Sequence, residues 1–230
     1  MKLLALDTSS VACSVAIEVG ATIVARHEEQ PREHTRLLLP MIRQVLQESE
    51  VALAELDAII LGNGPGSFIG MRIAASVSQG LAFGSGLKIV PVSSLAAVAA
   101  EVFAESDAGE VVVTQDAHMS EVYLGIFARG DDDLPVAVLP ERLQAQDAIA
   151  ELGATDSHRV AAGAGWQRYP ALLANNCDQL SAVSAQLYPN ARFLLGLGAL
   201  GLSMGASIAP AELKPAYLRQ KVAEKPTPSS

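Results

Sequence analysis

Residues 2–19 have the sequence KLLALDTSSVACSVAIEV, and this stretch decides the fold. The apolar run over residues 2–6 predicts a buried strand, the polar residues 7–10 predict a turn, and residues 12–19 predict the returning strand. A third run over residues 21–26 extends the pattern. We therefore expect the chain to open with an antiparallel meander of three strands.

The rest of the N-terminal half alternates helices with strands. The spacing of its apolar residues predicts a helix from near Glu33 to near Ser49, and Pro40 should either kink this helix or start its main part. Further segments follow in order: a strand over 56–61, a glycine-rich turn over 62–66, a helix over 69–83, a strand over 88–92, and a helix from Ser93 or Ser94 to Ala104.

The same pattern starts again after residue 109. A strand over 110–114, a turn at Asp116 and a strand over 121–127 match the opening segment around Asp7, and residues 159–165 match residues 56–64. This indicates an internal duplication with loops of different length. It predicts an α/β fold of two mixed-sheet subdomains, 1–108 and 109–208, with a cleft between them and a tail over 209–230 that packs back on the first subdomain. Residues 224–230 are expected to be a loose tail.

Composition excludes several classes of protein. The 230 residues are 50% hydrophobic, which is too apolar for a disordered chain, and the net charge of -9 does not suit direct binding of nucleic acid. Only Cys13 and Cys177 are present, so a reducing cytoplasm is expected. Asp7 interrupts the first apolar run too early for a signal peptide, and the glycine-diluted stretch 193–211 predicts a buried helix rather than a membrane span.

The sequence GNGPGSFIGMR over residues 62–72 is a candidate anion site. Glycines such as Gly66 allow close backbone approach, Ser67 is a suitable N-cap, and Arg72 lies one turn into the predicted helix, whose N-terminus attracts anions. The alternative is a tight structural turn that only packs a strand against a helix. The motif is not a P-loop, because Gly-Lys-Ser/Thr is missing.

Asp7, Thr8 and Ser9, with Asp116 in the second half, form a second candidate site. A carboxylate at a strand end could hold a hydrated magnesium ion and the hydroxyls could contact phosphate. Neither turn contains glycine, so an Asx-turn that closes the hairpin is the alternative. No pair of histidines has metal-ligand spacing, no serine has an identifiable base, and Cys13 lies within an apolar strand, so we expect neither a metal site nor a catalytic nucleophile.

Two helices carry a candidate partner surface. The first is apolar over more than a narrow stripe, and the helix from Ile69 has small residues that would let another helix approach closely. The residues expected to contact a partner are Leu38, Met41, Ile42, Val45, Met71, Ala74, Ala75 and Ser78. The alternative is that both helices simply cover one sheet.

Five motifs together resemble one family. They are LLALDTS over residues 3–9, LLP over 38–40, GNGPGSF over 62–68, VSSL over 92–95 and DAHMSEVY over 116–123. The sequence from Lys2 to Arg219 is similar to the TsaB family, also called YeaZ. It departs from the family pattern at Ile69, where threonine is usual, and at Ser120, where glycine is common.

This resemblance implies a duplicated actin-like and Hsp70-like fold of the ribonuclease H-like (ASKHA) class. It also implies a non-catalytic subunit that works with the catalytic paralogue TsaD and the ATPase TsaE in threonylcarbamoyladenosine synthesis on tRNA. The chain would bind tRNA only through the complex, pair with itself when TsaD is absent, and have no cofactor of its own, with ATP or ADP and magnesium acting in the complex. The rival hypothesis is a small kinase or ATPase with Asp7 and Asp116 on magnesium and residues 163–165 near an adenosine.

Overall fold

The computed structural model describes residues 1–147, 149–150, 152–153 and 155–219. The predicted loose tail over 224–230 lies outside these residues. The strands are β1 (Lys2–Asp7), β2 (Ala12–Val19), β3 (Thr22–Glu29), β4 (Ala58–Gly62), β5 (Ile89–Val92), β6 (Glu110–Asp116), β7 (Glu121–Arg129), β8 (Pro135–Ala137), β9 (Arg142–Ala145), β10 (Arg159–Ala162) and β11 (Ala182–Val183). The α-helices are α1 (His34–Glu48), α2 (Phe68–Ser85), α3 (Ser94–Glu105), α4 (Ala164–Arg168), α5 (Pro170–Asn176) and α6 (Ala191–Ser203).

The two halves of the chain form two sheets of the same topology. The first has the strand order β3-β2-β1-β4-β5, and the second has the order β8-β7-β6-β10-β11, with β9 also paired to β7. In the first sheet, β1 is antiparallel to β2 and parallel to β4. In the second sheet, β6 is in the same way antiparallel to β7 and parallel to β10. The predicted meander and the predicted duplication into two mixed α/β sheets are confirmed.

Alternation along β1 explains why this sheet is buried on both faces. Leu4 and Leu6 lie opposite Ile17 and Val15 of β2 and pack against α1 and α2. Leu3 and Ala5 face the opposite side, where they pack against α6. Because successive side chains of a strand point to opposite faces, one continuous apolar run covers two separate cores.

Helices α3 and α6 are exchanged between the two sheets. Helix α3 follows β5 of the first sheet, yet Leu95, Val98 and Val102 pack on the second sheet. Helix α6 follows β11 of the second sheet, yet Leu194 and Leu195 pack on the first. The two helices also contact each other, so neither sheet has a complete core without a helix from the other half. Helix α6 contains residues 193–203 of the stretch 193–211 that was expected to form a buried helix, and residues 204–211 lie beyond its end. No helix in the described part of the chain is long and apolar enough to cross a membrane.

The structure corrects the predicted partner residues. Helices α1 and α2 cover one face of the first sheet, as the alternative interpretation held, and all eight predicted contact residues are buried within the chain itself: Leu38, Met41, Ile42, Val45, Met71, Ala74, Ala75 and Ser78. The apolar stripe of each helix is needed to cover the sheet, so it is not available to a partner. Helix α1 also runs without interruption through Pro40, so its main part does not begin there.

A pair of alanine substitutions in α6 tests the close packing of this helix on the first sheet. A Cβ atom at Gly198 would lie 2.5 Å from three side-chain carbons of Ile60, whereas a Cβ atom at Gly196 would meet only Leu134 at 3.4 Å. We expect Gly198→Ala to lower the free energy of unfolding by about 1–3 kcal/mol, because the clash outweighs the gain in helix propensity. Gly196→Ala should raise it by up to about 1 kcal/mol. Equal effects of the two substitutions in urea denaturation would contradict this account of the packing.

Glu101 on α3 gives the stability of the chain a dependence on pH. Burial, and secondarily the nearby charge of Glu105, raise the pKa of Glu101 from 4.5 to about 7. The folded chain therefore holds one more proton than the unfolded chain between these values, and stability falls as the pH rises from 4.5 to 7. Glu101→Gln should remove this part of the slope and stabilise the chain most at pH 7 and above. The exposed Glu50→Gln is the control in urea denaturation at several pH values, and parallel pH profiles for Glu101→Gln and wild type would contradict the prediction.

Candidate functional site

A cleft of about 780 Å³ lies between the two halves of the chain. One wall is formed by the turn after β1 and the N-terminus of α2, and the other by the turn after β6 and the helix α4. Large side chains line it, among them Phe68, Ile69, Tyr123 and Tyr188, and Arg219 closes one edge. The cleft that the duplicated sheets predict is therefore present.

Asp7 is buried behind the cleft wall rather than exposed in the cleft. Its Oδ1 atom accepts hydrogen bonds from the backbone N–H and the hydroxyl of Ser9, at 2.7 and 2.8 Å. Its Oδ2 atom accepts a hydrogen bond of 2.6 Å from the hydroxyl of Ser94, whose oxygen in turn accepts one from the N–H of Gly64. Burial raises the pKa of Asp7, an effect that these hydrogen bonds oppose. The Asx-turn interpretation is confirmed, and Asp7 also ties the β4–α2 loop to the start of α3.

The backbone of Thr8 and Ser9 is covered by the N-terminus of α2. The hydroxyl of Thr8 donates to the carbonyl of Gly70 at 2.7 Å, and the N–H of Ser67 donates to the carbonyl of Ser9 at 2.6 Å. A Cβ atom at Gly66 would lie 2.2 Å from the Ser9 carbonyl oxygen, and one at Gly70 would lie 1.9 Å from that of Thr8. Glycine is required here because the backbones touch, and the Ser67 amide that would face an anion bonds to the chain instead. Ser67 is the N-cap of α2, as predicted, because its hydroxyl accepts from the N–H of Gly70.

Asp116 differs from its counterpart Asp7 because it lines the cleft and is partly exposed. Its Oδ1 atom accepts hydrogen bonds of 2.8 Å from the N–H of His118 and from the hydroxyl of Tyr169. Its Oδ2 atom lies 3.7 Å from Nε of Arg168. Asp116 therefore forms an Asx-turn as well, and its second oxygen faces the cleft beside an arginine.

The turn after Asp116 is a strained one. His118, Met119 and Ser120 have φ angles of 60°, 55° and 62°, in the left-handed region that favours glycine. At Ser120 the chain therefore has a side chain at a left-handed position, where glycine would have a lower conformational energy. The hydroxymethyl group of serine in place of a hydrogen leaves the hairpin intact, since β6 and β7 pair in register up to Asp116 and Val122.

Arg72 lies outside the cleft wall. Its guanidinium carbon is 3.8 Å from the centre of the Phe68 ring, and its Nε–H donates to the hydroxyl of Tyr217 at 2.9 Å. The structure thus brings Ser9, Gly66, Ser67 and Asp116 together along the cleft. It does not bring Asp7, Thr8 or Arg72 to the same surface.

The arrangement holds little chemistry of its own. Within the described ranges, no group of three His, Cys, Asp or Glu side chains is placed to hold a metal ion. The hydroxyl of Ser94 is fully buried, and burial raises the pKa of the Cys13 thiol to about 12, so neither group is an accessible nucleophile.

Sequence reasoning missed three residues that shape this region: Ser94, Tyr217 and Arg219. Ser94 was considered as a helix cap and as a serine without an identifiable base, but not as a partner of Asp7, and it is Ser93 that caps α3 through the N–H of Ala96. A serine followed by the almost wholly apolar helix LAAVAA is the signal that could have identified a buried polar contact. Tyr217 and Arg219 had no such signal, because their partners are distant in sequence.

One face of α2 is exposed to solvent. We call it the α2 face and define it by Ile69, Ser76, Gly80, Phe83 and Gly84. Ile69 and Phe83 are 70% and 84% exposed at its two ends. A Cβ atom at Gly80 or Gly84 would meet nothing within 4 Å, so the fold of the chain itself does not require glycine at either position.

Two substitutions of Asp7 test its structural role. Asp7→Ala leaves the Ser9 N–H and two hydroxyl groups without their acceptor, and a buried unsatisfied group costs about 1–3 kcal/mol. We expect the free energy of unfolding to fall by at least about 2 kcal/mol. Asp7→Asn keeps an acceptor oxygen without the buried charge and should change it by less than about 1 kcal/mol. Urea denaturation measures both, and equal losses would show that the charge itself is required.

Comparison with known proteins agrees with this geometry. A family model described as TsaD, tRNA N6-adenosine threonylcarbamoyltransferase, matches residues 23–182. The tRNA threonylcarbamoyladenosine biosynthesis protein TsaB of Haemophilus influenzae is 36% identical, with 99% of this chain and 98% of that protein covered. TsaB of Escherichia coli is 33% identical, with 99% of both chains covered.

A solved structure shows the same fold over nearly the whole chain. YeaZ from Pseudomonas aeruginosa superimposes with a TM-score of 0.85 at 35% identity, covering 94% of this chain and 99% of the other. The sequence matches, the duplicated topology and the motif GNGPGSF at the α2 N-terminus agree with one another. The chain therefore belongs to the TsaB (YeaZ) family of tRNA threonylcarbamoyladenosine biosynthesis proteins.

Proposed function

We propose that this chain is a non-catalytic scaffold subunit required for threonylcarbamoyladenosine modification of tRNA. It binds and activates the catalytic paralogue TsaD, together with the ATPase TsaE, in the cytoplasm. The complex transfers a threonylcarbamoyl group to the adenosine beside the anticodon in tRNAs that read codons beginning with A. The observation that carries the proposal is the bare α2 face with its two glycines.

The α2 face has the properties of a helix-docking surface. Glycine in the middle of an exposed helix lowers helix stability by about 1 kcal/mol relative to alanine, and no close packing within the chain offsets this loss at Gly80. Close packing of a partner helix against the backbone at Gly80 would offset it, and the same contact would bury Ile69 and Phe83. We propose that TsaD occupies this face and that a second copy of the chain occupies it when TsaD is absent.

The geometry of the cleft supports a non-catalytic role. The Ser67 N–H donates to the carbonyl of Ser9 and the Thr8 hydroxyl donates to the carbonyl of Gly70, so these two donors are not free for a phosphate. Asp7 is enclosed by its own donors and Asp116 is the carboxylate that faces the cleft. We propose that ATP or ADP and magnesium act in the complex rather than on the isolated chain.

The charge of the chain supports an indirect contact with tRNA. A net charge of -9 opposes close approach to a phosphate backbone, so the complex would bind tRNA through its other subunits.

An assay of threonylcarbamoyl transfer tests the proposal. Purified TsaD and TsaE receive the threonylcarbamoyl adenylate, ATP and tRNA, with wild-type chain, with Gly80→Arg, or with no chain. We expect transfer with wild type and a loss of at least tenfold in the other two reactions, because an arginine on the α2 face keeps a partner helix away. Gly80→Arg should also weaken the homodimer in analytical ultracentrifugation.

Ala174→Arg on the exposed side of α5 is the matched control, and it should keep full activity. Circular dichroism verifies that both arginine variants are folded. Equal transfer with and without the chain would overturn the scaffold proposal. ATP turnover by the isolated chain, lost in Asp116→Asn, would support the kinase or ATPase hypothesis instead.

A further inference from the structure

Residues 208–219 form a segment that runs from the first half of the chain to the second and contains one short 3-10 helix, Pro210–Glu212. We call it the C-terminal strap. It begins beside β5, where Ile208 and Ile89 exchange backbone hydrogen bonds of 2.8 and 3.0 Å. It ends at Arg219, which lies at the edge of the cleft against the second half.

The strap is firmly held on the first half. Leu213 is buried in the core beneath α1 and α2. The side-chain amide of Asn63 donates to the carbonyl of Lys214 at 3.0 Å, and the N–H of Ala216 donates back to the carbonyl of Asn63 at 3.2 Å. Asn63 belongs to the glycine-rich loop, so the strap is attached to the loop that forms one cleft wall.

Tyr217 of the strap also contacts two residues of the first half, Phe68 and Arg72. The rings of Tyr217 and Phe68 are 5.2 Å apart, and the Tyr217 hydroxyl accepts from Arg72. Phe68 and Arg72 both belong to the first turns of α2. Position 217 is therefore fixed relative to the first half.

Arg219 attaches the strap to the second half. Its Nη2 atom donates to the carbonyl of Ala117 at 2.9 Å and lies 2.6 Å from a carboxylate oxygen of Glu121. The Arg219 side chain is only 16% exposed, so these charge-assisted bonds are shielded from solvent. Leu218 beside it packs against the core of the second half.

We propose that the C-terminal strap is a clasp that sets the opening of the cleft, with Arg219 as its attachment to the second half. Residue 217 is anchored on the first half and residue 219 on the second, and the two residues from one to the other span at most about 7 Å when fully extended. The cleft therefore cannot open beyond this limit while both anchors hold. Release of Arg219 removes the limit and also frees the left-handed turn at residues 118–120, whose conformation needs support from its surroundings.

Pulsed electron paramagnetic resonance on the full-length chain tests the clasp. One spin label is placed on the native, exposed Cys177 in the second half and the other on Glu28→Cys at the edge strand of the first. We expect Arg219→Ala to lengthen and broaden the distance distribution between the labels. Arg219→Lys, which keeps the charge but loses the planar fork, should give an intermediate distribution. Arg192→Ala, at an exposed arginine on α6, is the matched control and should leave the distribution unchanged.

Hydrogen exchange separates the clasp from a purely local effect. The N–H groups of Ala117 and Glu121 bond across the turn, and both should exchange at least ten times faster in Arg219→Ala. A longer label distance together with this faster exchange supports the clasp. Faster exchange with an unchanged distance distribution overturns it, because Arg219 would then only support the turn. A distance change of equal size in Arg192→Ala overturns it as well.

Discussion

The carboxylate of Asp7 is the contact on which the arrangement of this chain depends. It lies at the end of β1 and joins the turn that follows, the loop before α2 and the first residue of α3, through Ser9 and Ser94. These segments are up to 87 residues apart in sequence. A buried acid needs donors from its surroundings, so the segments must meet here or leave the group unsatisfied. Ser94 thereby sets where α3 starts and the direction in which it leaves the first sheet.

The direction of α3 links the two halves. Because α3 leaves toward the second sheet and α6 returns to the first, each half completes the core of the other. The strap adds a third connection at the opposite edge of the cleft. In a chain built this way the cleft is not a groove between independent domains, since its width follows from helices and a strap that belong to both halves.

The same contacts occupy several of the polar groups beside the cleft. In each half a strand-end aspartate forms an Asx-turn, and in the first half α2 packs so closely on that turn that two glycines are required. The groups that would hold phosphate in a nucleotide site are used to hold the fold. The α2 face stays exposed, and a Cβ atom added at Gly80 or Gly84 would meet no atom within 4 Å.

The sequence by itself determined the strands and helices of the first half, the strands β6, β7 and β10, the duplication and the family, whereas β8, β9, β11 and α5 were not predicted. Continuous apolar runs such as KLLAL and the motif GNGPGSF are local patterns, and each predicts the element that its own residues form. The sequence also showed that α1 and α2 are rich in apolar and small residues, but it could not show which side of each helix was free. Leu38 and Ala74 were expected to face a partner and instead face the sheet. Only the tertiary structure decided this, together with the exchange of α3 and α6 and the contacts of Arg219, because burial depends on which distant segments pack together and periodicity within one segment carries no information about them.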